Sequence, residues 1–118
     1  MEVQLYHYRA KVIGVYDGDT MTVDIDLGLH IWARGEKVRL ARINAPELKG
    51  AEKEKGLAAR DFLISKVMDK HIIIETIKDR EEKYGRYLAE IWLKDDSGQF
   101  QNINDLMVQN GHAVYKEY

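Results

Sequence analysis

Tyr6, Tyr8, Ala10 and Val12 are apolar or small, and His7, Arg9 and Lys11 between them are polar or charged. A period of two sends successive side chains to opposite faces, so residues 6 to 16 predict a half-buried strand. Asp17-Gly18 then signals a tight turn. From Met21 the alternation is clear, with Met21, Val23, Ile25 and Leu27 on one face and Thr22, Asp24 and Asp26 on the other. Gly28 ends this second strand. Leu29 to Trp32 with Glu36 to Ile43 predict a longer, bent third strand, interrupted near Arg34-Gly35. The period then changes: Ala59, Phe62, Leu63 and Val67 fall at helical spacing, widened by Ile64 and Met68, and predict an amphipathic helix within Ala51 to Lys70. His71-Ile72-Ile73-Ile74-Glu75-Thr76 is a β-branched run suited to a buried strand, followed by a charged loop from Lys78 to Lys83. Tyr87, Ala89, Ile91 and Leu93 alternate as a fifth strand, which Asp95-Asp96-Ser97-Gly98 turns. Ile103, Leu106, Met107 and Asn110 predict a short helix capped by Gly111.

Three strands, a helix, two strands and a short helix is the element order of an OB-fold: a mainly β, α+β architecture. Its antiparallel five-stranded barrel carries one helix between strands three and four and another after strand five. At 118 residues with 45% apolar content the chain is the size of one domain, spanning 1–118, with a core of its own. It has no cysteine, which excludes disulfides and thiolate metal sites and leaves oxygen or histidine as metal ligands. No segment approaches the roughly 18 apolar residues of a membrane span. No basic and apolar leader opens the chain, so the expectation is a soluble, cytoplasmic monomer. With 18 basic and 20 acidic residues the formal net charge is −2, so a polyanion would have to be met by a local basic patch.

Candidate chemistry gathers at Val38-Arg39-Leu40-Ala41-Arg42-Ile43-Asn44-Ala45-Pro46-Glu47. A strand there runs into a turn carrying the only proline, which stiffens the exit and delivers an arginine, an amide and a carboxylate to one spot. Arg39 and Arg42 sit among apolar residues, so at least one must face a pocket, a partner or the barrel rim; an arginine fork suits phosphate or carboxylate, and a surface ion pair is the alternative. Extending the phase of the second strand back one step puts Asp19 on the apolar face. A carboxylate there needs a rim position with a partner or a metal, or else bonds its own turn.

Three stretches in this order, Tyr16-Asp17-Gly18-Asp19-Thr20, the arginine-to-glutamate stretch above, and Lys83-Tyr84-Gly85-Arg86, resemble the staphylococcal nuclease (thermonuclease) family, over nearly the whole chain from Tyr8 to Gly111. The resemblance implies a calcium-dependent phosphodiesterase that hydrolyses DNA and RNA to 5′-hydroxyl and 3′-phosphate products. By position it implies metal ligation by Asp19, Asn44 and the Ala45 carbonyl, and phosphate held by Arg39 and Arg86. Glu47 would activate or position water, and Lys83 and Tyr84 would contact a neighbouring phosphate. Tyr115 and Tyr118 are candidates for packing on the substrate. Chemistry asks for a similar set by itself, because charge gathering on a phosphodiester transition state is stabilised by arginines and a hard cation.

The departure is Asn44, where the family usually carries aspartate. An amide oxygen still suits calcium, but losing a ligand charge predicts weaker binding. Two readings follow: a nuclease, favoured by both arginines and Glu47, and a non-catalytic module that binds nucleic acid or protein, kept open by Asn44 and the acidic net charge. A glycosidase pair of Asp19 and Glu47 is disfavoured, since two arginines suit phosphate better than sugar.

Overall fold

The computed structural model describes residues 5–81 and 85–116, with the side chains of 78–81 excepted. Strands β1 (His7–Asp17), β2 (Thr20–Asp26) and β3 (Trp32–Leu40) are followed by a two-residue β4 (Ile43–Asn44). A short 3-10 turn (Gly50–Glu52) leads into helix α1 (Lys53–Val67). Strands β5 (His71–Glu81), β6 (Tyr87–Lys94) and β7 (Phe100–Asn102), helix α2 (Ile103–Gln109) and strand β8 (Val114–Tyr115) complete the order. Around the barrel β3 pairs with β2, β2 with β1, β1 with β5 and β5 with β6, and a β6–β3 pairing closes it.

That closing pair is parallel, Val38 opposite Tyr87 and Leu40 opposite Ala89, so the expectation of an antiparallel barrel needs correction at this seam. The reason is geometric. Directions that alternate around a ring with an odd number of strands must repeat once, and they repeat where β3 meets β6.

The period-two faces build the core. Ala10, Val12, Met21, Val23, Ile25, Val38, Leu40, Ile72, Ile74, Ala89 and Ile91 are buried, and α1 covers them with Ala59, Leu63 and Val67. From α2, Ile103 and Met107 join the same cluster. Most residues whose spacing predicts burial are thus removed from water, while Tyr8, Phe62, Tyr87, Leu93 and Leu106 are half-buried. Each fully buried aliphatic chain contributes about 1.5–3 kcal/mol.

Three local expectations differ. The third strand starts at Trp32 and runs through Arg34-Gly35 to Leu40. It continues because Gly35 takes the irregularity at positive φ, with its N–H held by Asp24 Oδ1 at 2.9 Å. Ile43 belongs to the separate strand β4, beyond a turn at Arg42, whose φ is also positive. The backbone of Lys78–Glu81, expected as loop, extends β5. Leu27, expected on the inner face, lies past the end of β2 and is 47% exposed. Among the described residues no helix is long and apolar enough to cross a membrane.

Candidate active site

β3 is the one strand that touches both β2 and β6, and its last turn of chain becomes the Asn44–Glu47 exit. Thr20 stands opposite Arg39 across the β2–β3 pair, and Arg39 stands opposite Leu88 across the parallel seam. Arg86 immediately precedes β6, so the seam brings it alongside Thr20, to which its Nη1 donates at 3.1 Å.

Asp19 is 5% exposed. Its Oδ2 accepts the Ala45 N–H at 2.8 Å and lies 3.3 Å from Arg39 Nη2, while its Oδ1 accepts the Thr20 hydroxyl at 3.1 Å. Arg39, 6% exposed, donates through Nη1 to the carbonyls of Leu40 (2.7 Å) and Ile43 (2.9 Å), and through Nη2 to Asn44 Oδ1 at 3.2 Å. Buried ions need this degree of compensation, because removing one partner leaves the other charge stranded out of water. Asn44 and Glu47 are exposed. The Glu47 carboxylate makes no hydrogen bond or ion pair among the described residues and stays in solvent, three residues along the chain from Asn44.

Two glycines let the exit lie so close. A Cβ on Gly18 would stand 2.8 Å from the Cβ atoms of both Ala45 and Ala59, so the Asp17–Asp19 turn, the exit and α1 meet without room for a methyl group. A Cβ on Gly56 of α1 would overlap the Glu47 carbonyl. Gly18 is therefore needed for contact and not for a left-handed φ.

Asp17 and Asn104 matter here although sequence reasoning passed them over. Asp17, read only as part of a turn, accepts the Asp19 N–H at 3.1 Å. Burial and the neighbouring Asp19 carboxylate push its carboxyl up to about 6. The available signal was the pair of acids two residues apart on one tight turn. Asn104 is wholly buried in α2, where it donates to the carbonyls of Ala41 (2.9 Å) and Ala89 (3.0 Å) and accepts the Ile91 N–H at 3.0 Å. It clamps the seam behind the site, and nothing in the local pattern distinguished it from a solvated asparagine.

Other candidates lie apart or outside. Arg42 turns away from Asp19 to the surface, with Nε and Nη2 each 2.7 Å from a Glu90 oxygen and Nη2 also 3.0 Å from Asp105. These partners raise its pKa above the usual arginine range. Tyr115, on β8 opposite Ile43, donates its hydroxyl to Asp105 at 2.9 Å and places its ring under Arg42. Lys83, Tyr84 and Tyr118 lie outside the described residues.

Among the described residues no three histidines or carboxylates come together as a metal cluster. The oxygens that hydrogen bonds tie together are the Asp17 and Asp19 carboxylates, linked through the Asp19 N–H, and the Asn44 amide, which shares Arg39 Nη2 with Asp19. Oxygen donors of this kind are the type that suits calcium or magnesium.

The family model described as staphylococcal nuclease homologue matches residues 37–118. Relatives include a thermonuclease of Staphylococcus intermedius, 32% identical across 88% of this chain and 57% of its own length, and a thermonuclease of Staphylococcus hyicus, 29% identical across 92% and 59%. An uncharacterized protein of Methanocaldococcus jannaschii is 31% identical across 91% of this chain and 58% of its own. The chain thus spans less than three fifths of the length of these curated relatives. With that match and this barrel, the chain belongs to the staphylococcal nuclease homologue family.

Proposed function

We propose that the protein is a calcium-dependent nuclease that hydrolyses phosphodiester bonds of DNA and RNA to leave 5′-hydroxyl and 3′-phosphate ends. The observation that carries this reading is that Arg39 and Arg86 reach two consecutive residues, Arg39 pairing with Asp19 and Arg86 donating to Thr20, while Glu47 on the exit from the same seam faces solvent. Two guanidinium groups bind the scissile phosphate and stabilise the charge that builds on its equatorial oxygens. Glu47, held at a stiff exit by Pro46 and Gly56, accepts a proton from the attacking water or orients it. Asp19, Asn44 and the Ala45 carbonyl are the residues that would hold calcium, which supplies Lewis-acid stabilisation of the phosphate when bound. Lys83 and Tyr84 are assigned to a neighbouring phosphate, and Tyr115 and Tyr118 to the substrate's flank.

One observation favours a second reading. The Arg39 guanidinium already has two carbonyls, an amide and a carboxylate as intrachain partners, as expected of a strut in a binding module without catalysis.

The discriminating experiment is hydrolysis of single-stranded DNA with calcium, with EDTA, and with calcium on Glu47→Gln. The nuclease reading expects cleavage that stops in EDTA and falls by about 10²–10⁴ in the variant. Folded protein that binds DNA and cuts nothing at millimolar calcium would establish the binding module instead.

A further inference from the structure

The outer wall of the barrel formed by β1, β5, β6 and β7 presents a second set of side chains with chemistry of their own. Alternation sends Ala10, Ile72, Ile74 and Ile91 inward. Arg9, Ile73 and Trp92 are left outside, and the register sets them in one row, Arg9 opposite Ile73 and Ile73 opposite Trp92. Phe100 stands opposite Lys94 on the adjoining β6–β7 pair. A groove of about 560 Å³ runs between Arg9, Trp92 and Phe100. Phe100 is 52% exposed, with Lys94 Nζ 5.9 Å from its ring centroid.

Charge on this wall is unevenly committed. Glu75 accepts the Trp92 indole N–H at 3.0 Å and lies 3.6 Å from His7 Nε2, and Glu90 is taken by Arg42 and Asn102. Arg9 and Lys94 form no ion pair among the described residues. A chain of formal net charge −2 therefore shows, on this wall, two cations outside ion pairs beside the exposed ring of Phe100 and the half-exposed ring of Trp92. An unpaired polynucleotide fits that combination, because its bases offer π-faces for stacking while its phosphates follow cations. A duplex keeps those faces stacked on its own bases. A second copy fits less well, since a two-fold contact sets the patch against itself and brings its uncommitted cations together.

The geometry points to a second nucleic-acid contact, in which this wall stacks the bases of single-stranded DNA or RNA on Trp92 and Phe100 and holds the backbone with Arg9 and Lys94. It uses none of the residues assigned to catalysis, so it stands whether or not the protein cleaves.

The test is a titration of the full chain with oligothymidylate of about eight nucleotides, in EDTA so that nothing is cut. The chain has two tryptophans, so Trp32→Phe leaves Trp92 as the sole indole reporter. Expected are quenching of Trp92, weaker binding of a duplex of equal length, and affinity lowered about fivefold or more by each of Phe100→Ala, Arg9→Glu and Lys94→Glu. The charge variants keep the question open should Phe100→Ala misfold. The inference is overturned by binding that leaves Trp92 emission and the variants' affinities unchanged, by absence of binding, or by a sedimentation dimer that Phe100→Ala dissociates. Lack of hydrolysis would refute the catalytic reading and leave this one standing.

Discussion

At the scale of single residues, Asp17 and Asp19 carry opposite burdens. Asp19 is compensated by Arg39, Thr20 and the Ala45 N–H, whereas Asp17 sits half-buried against a like charge. Its folded-state pKa of about 6 exceeds its ordinary value of 3.8, so the native state holds this proton more tightly than the unfolded chain does. The associated stability is fully present below pH 3.8 and is lost as pH rises through about 6. Without divalent cations, Asp17→Asn should stabilise the protein by about 1 kcal/mol at pH 7, a figure reduced for solvent screening, and by nothing near pH 3.5. Urea denaturation at both pH values checks this; a gain that does not vary with pH would rule the carboxylate out as its source. Asn44 is the second residue with a clear consequence. Restoring a carboxylate with Asn44→Asp should tighten calcium binding by roughly tenfold in calorimetry without nucleic acid, because ligand charge sets affinity in oxygen sites. The new carboxylate also faces Arg39, and unchanged affinity would mean that this arginine, and not a cation, takes its charge.

At the scale of elements, the site depends on how closely three pieces of chain approach. The β1–β2 turn, the β4 exit and α1 meet at Gly18, where a Cβ would be 2.8 Å from Ala45 and Ala59 side chains. Gly18→Ala should cost about 1–3 kcal/mol by overpacking, and it should lower hydrolysis by more than the folded fraction explains, since the strain is relieved by moving the exit that carries Glu47. Thermal unfolding and activity measured on the same samples separate the two effects. Full activity per folded molecule would show that the exit tolerates the shift. Behind the exit, the buried Asn104 bonds Ala41, Ala89 and Ile91, tying α2 to the parallel seam that aligns Arg39 with Arg86.

At the scale of the whole molecule, a formal net charge of −2 gives no long-range attraction for a polyanion, so the proposed nucleic-acid binding rests on local cations. Affinity for single strands should still fall as salt rises, with each phosphate contact adding about 0.7 to the slope of log K against log salt. Arg86→Gln should therefore flatten the slope by about that amount in EDTA. An identical slope would place Arg86 off the phosphate path. The two proposed polyanion surfaces, the Asp19–Arg39–Arg86 seam and the Arg9–Trp92–Phe100 wall, share no residue, and substitutions on each report on it independently.

The order of the major elements, most of the core and the polar exit from Arg39 to Glu47 as a candidate site were legible locally, because periods of two and 3.6 and a proline-stiffened exit are local properties. The same periodicity pointed to Asp19 as a carboxylate in phase with buried residues. Which strand closes the barrel, and in which direction, is settled only once the chain has folded. Pairing between β3 and β6 joins residues nearly fifty positions apart, Val38 and Tyr87 among them, and no local pattern encodes that distance. The same closure decided that Arg39 turns inward to Asp19 while Arg42 turns outward to Glu90, although both sit in one apolar run. Asp17 acquired its raised pKa chiefly from burial, with Asp19 two residues away adding to it, and Gly18 its need to lack a side chain and Asn104 its place behind the seam from neighbours distant in sequence. The three share one physical reason: burial and close contact belong to the assembled barrel and not to any segment of it.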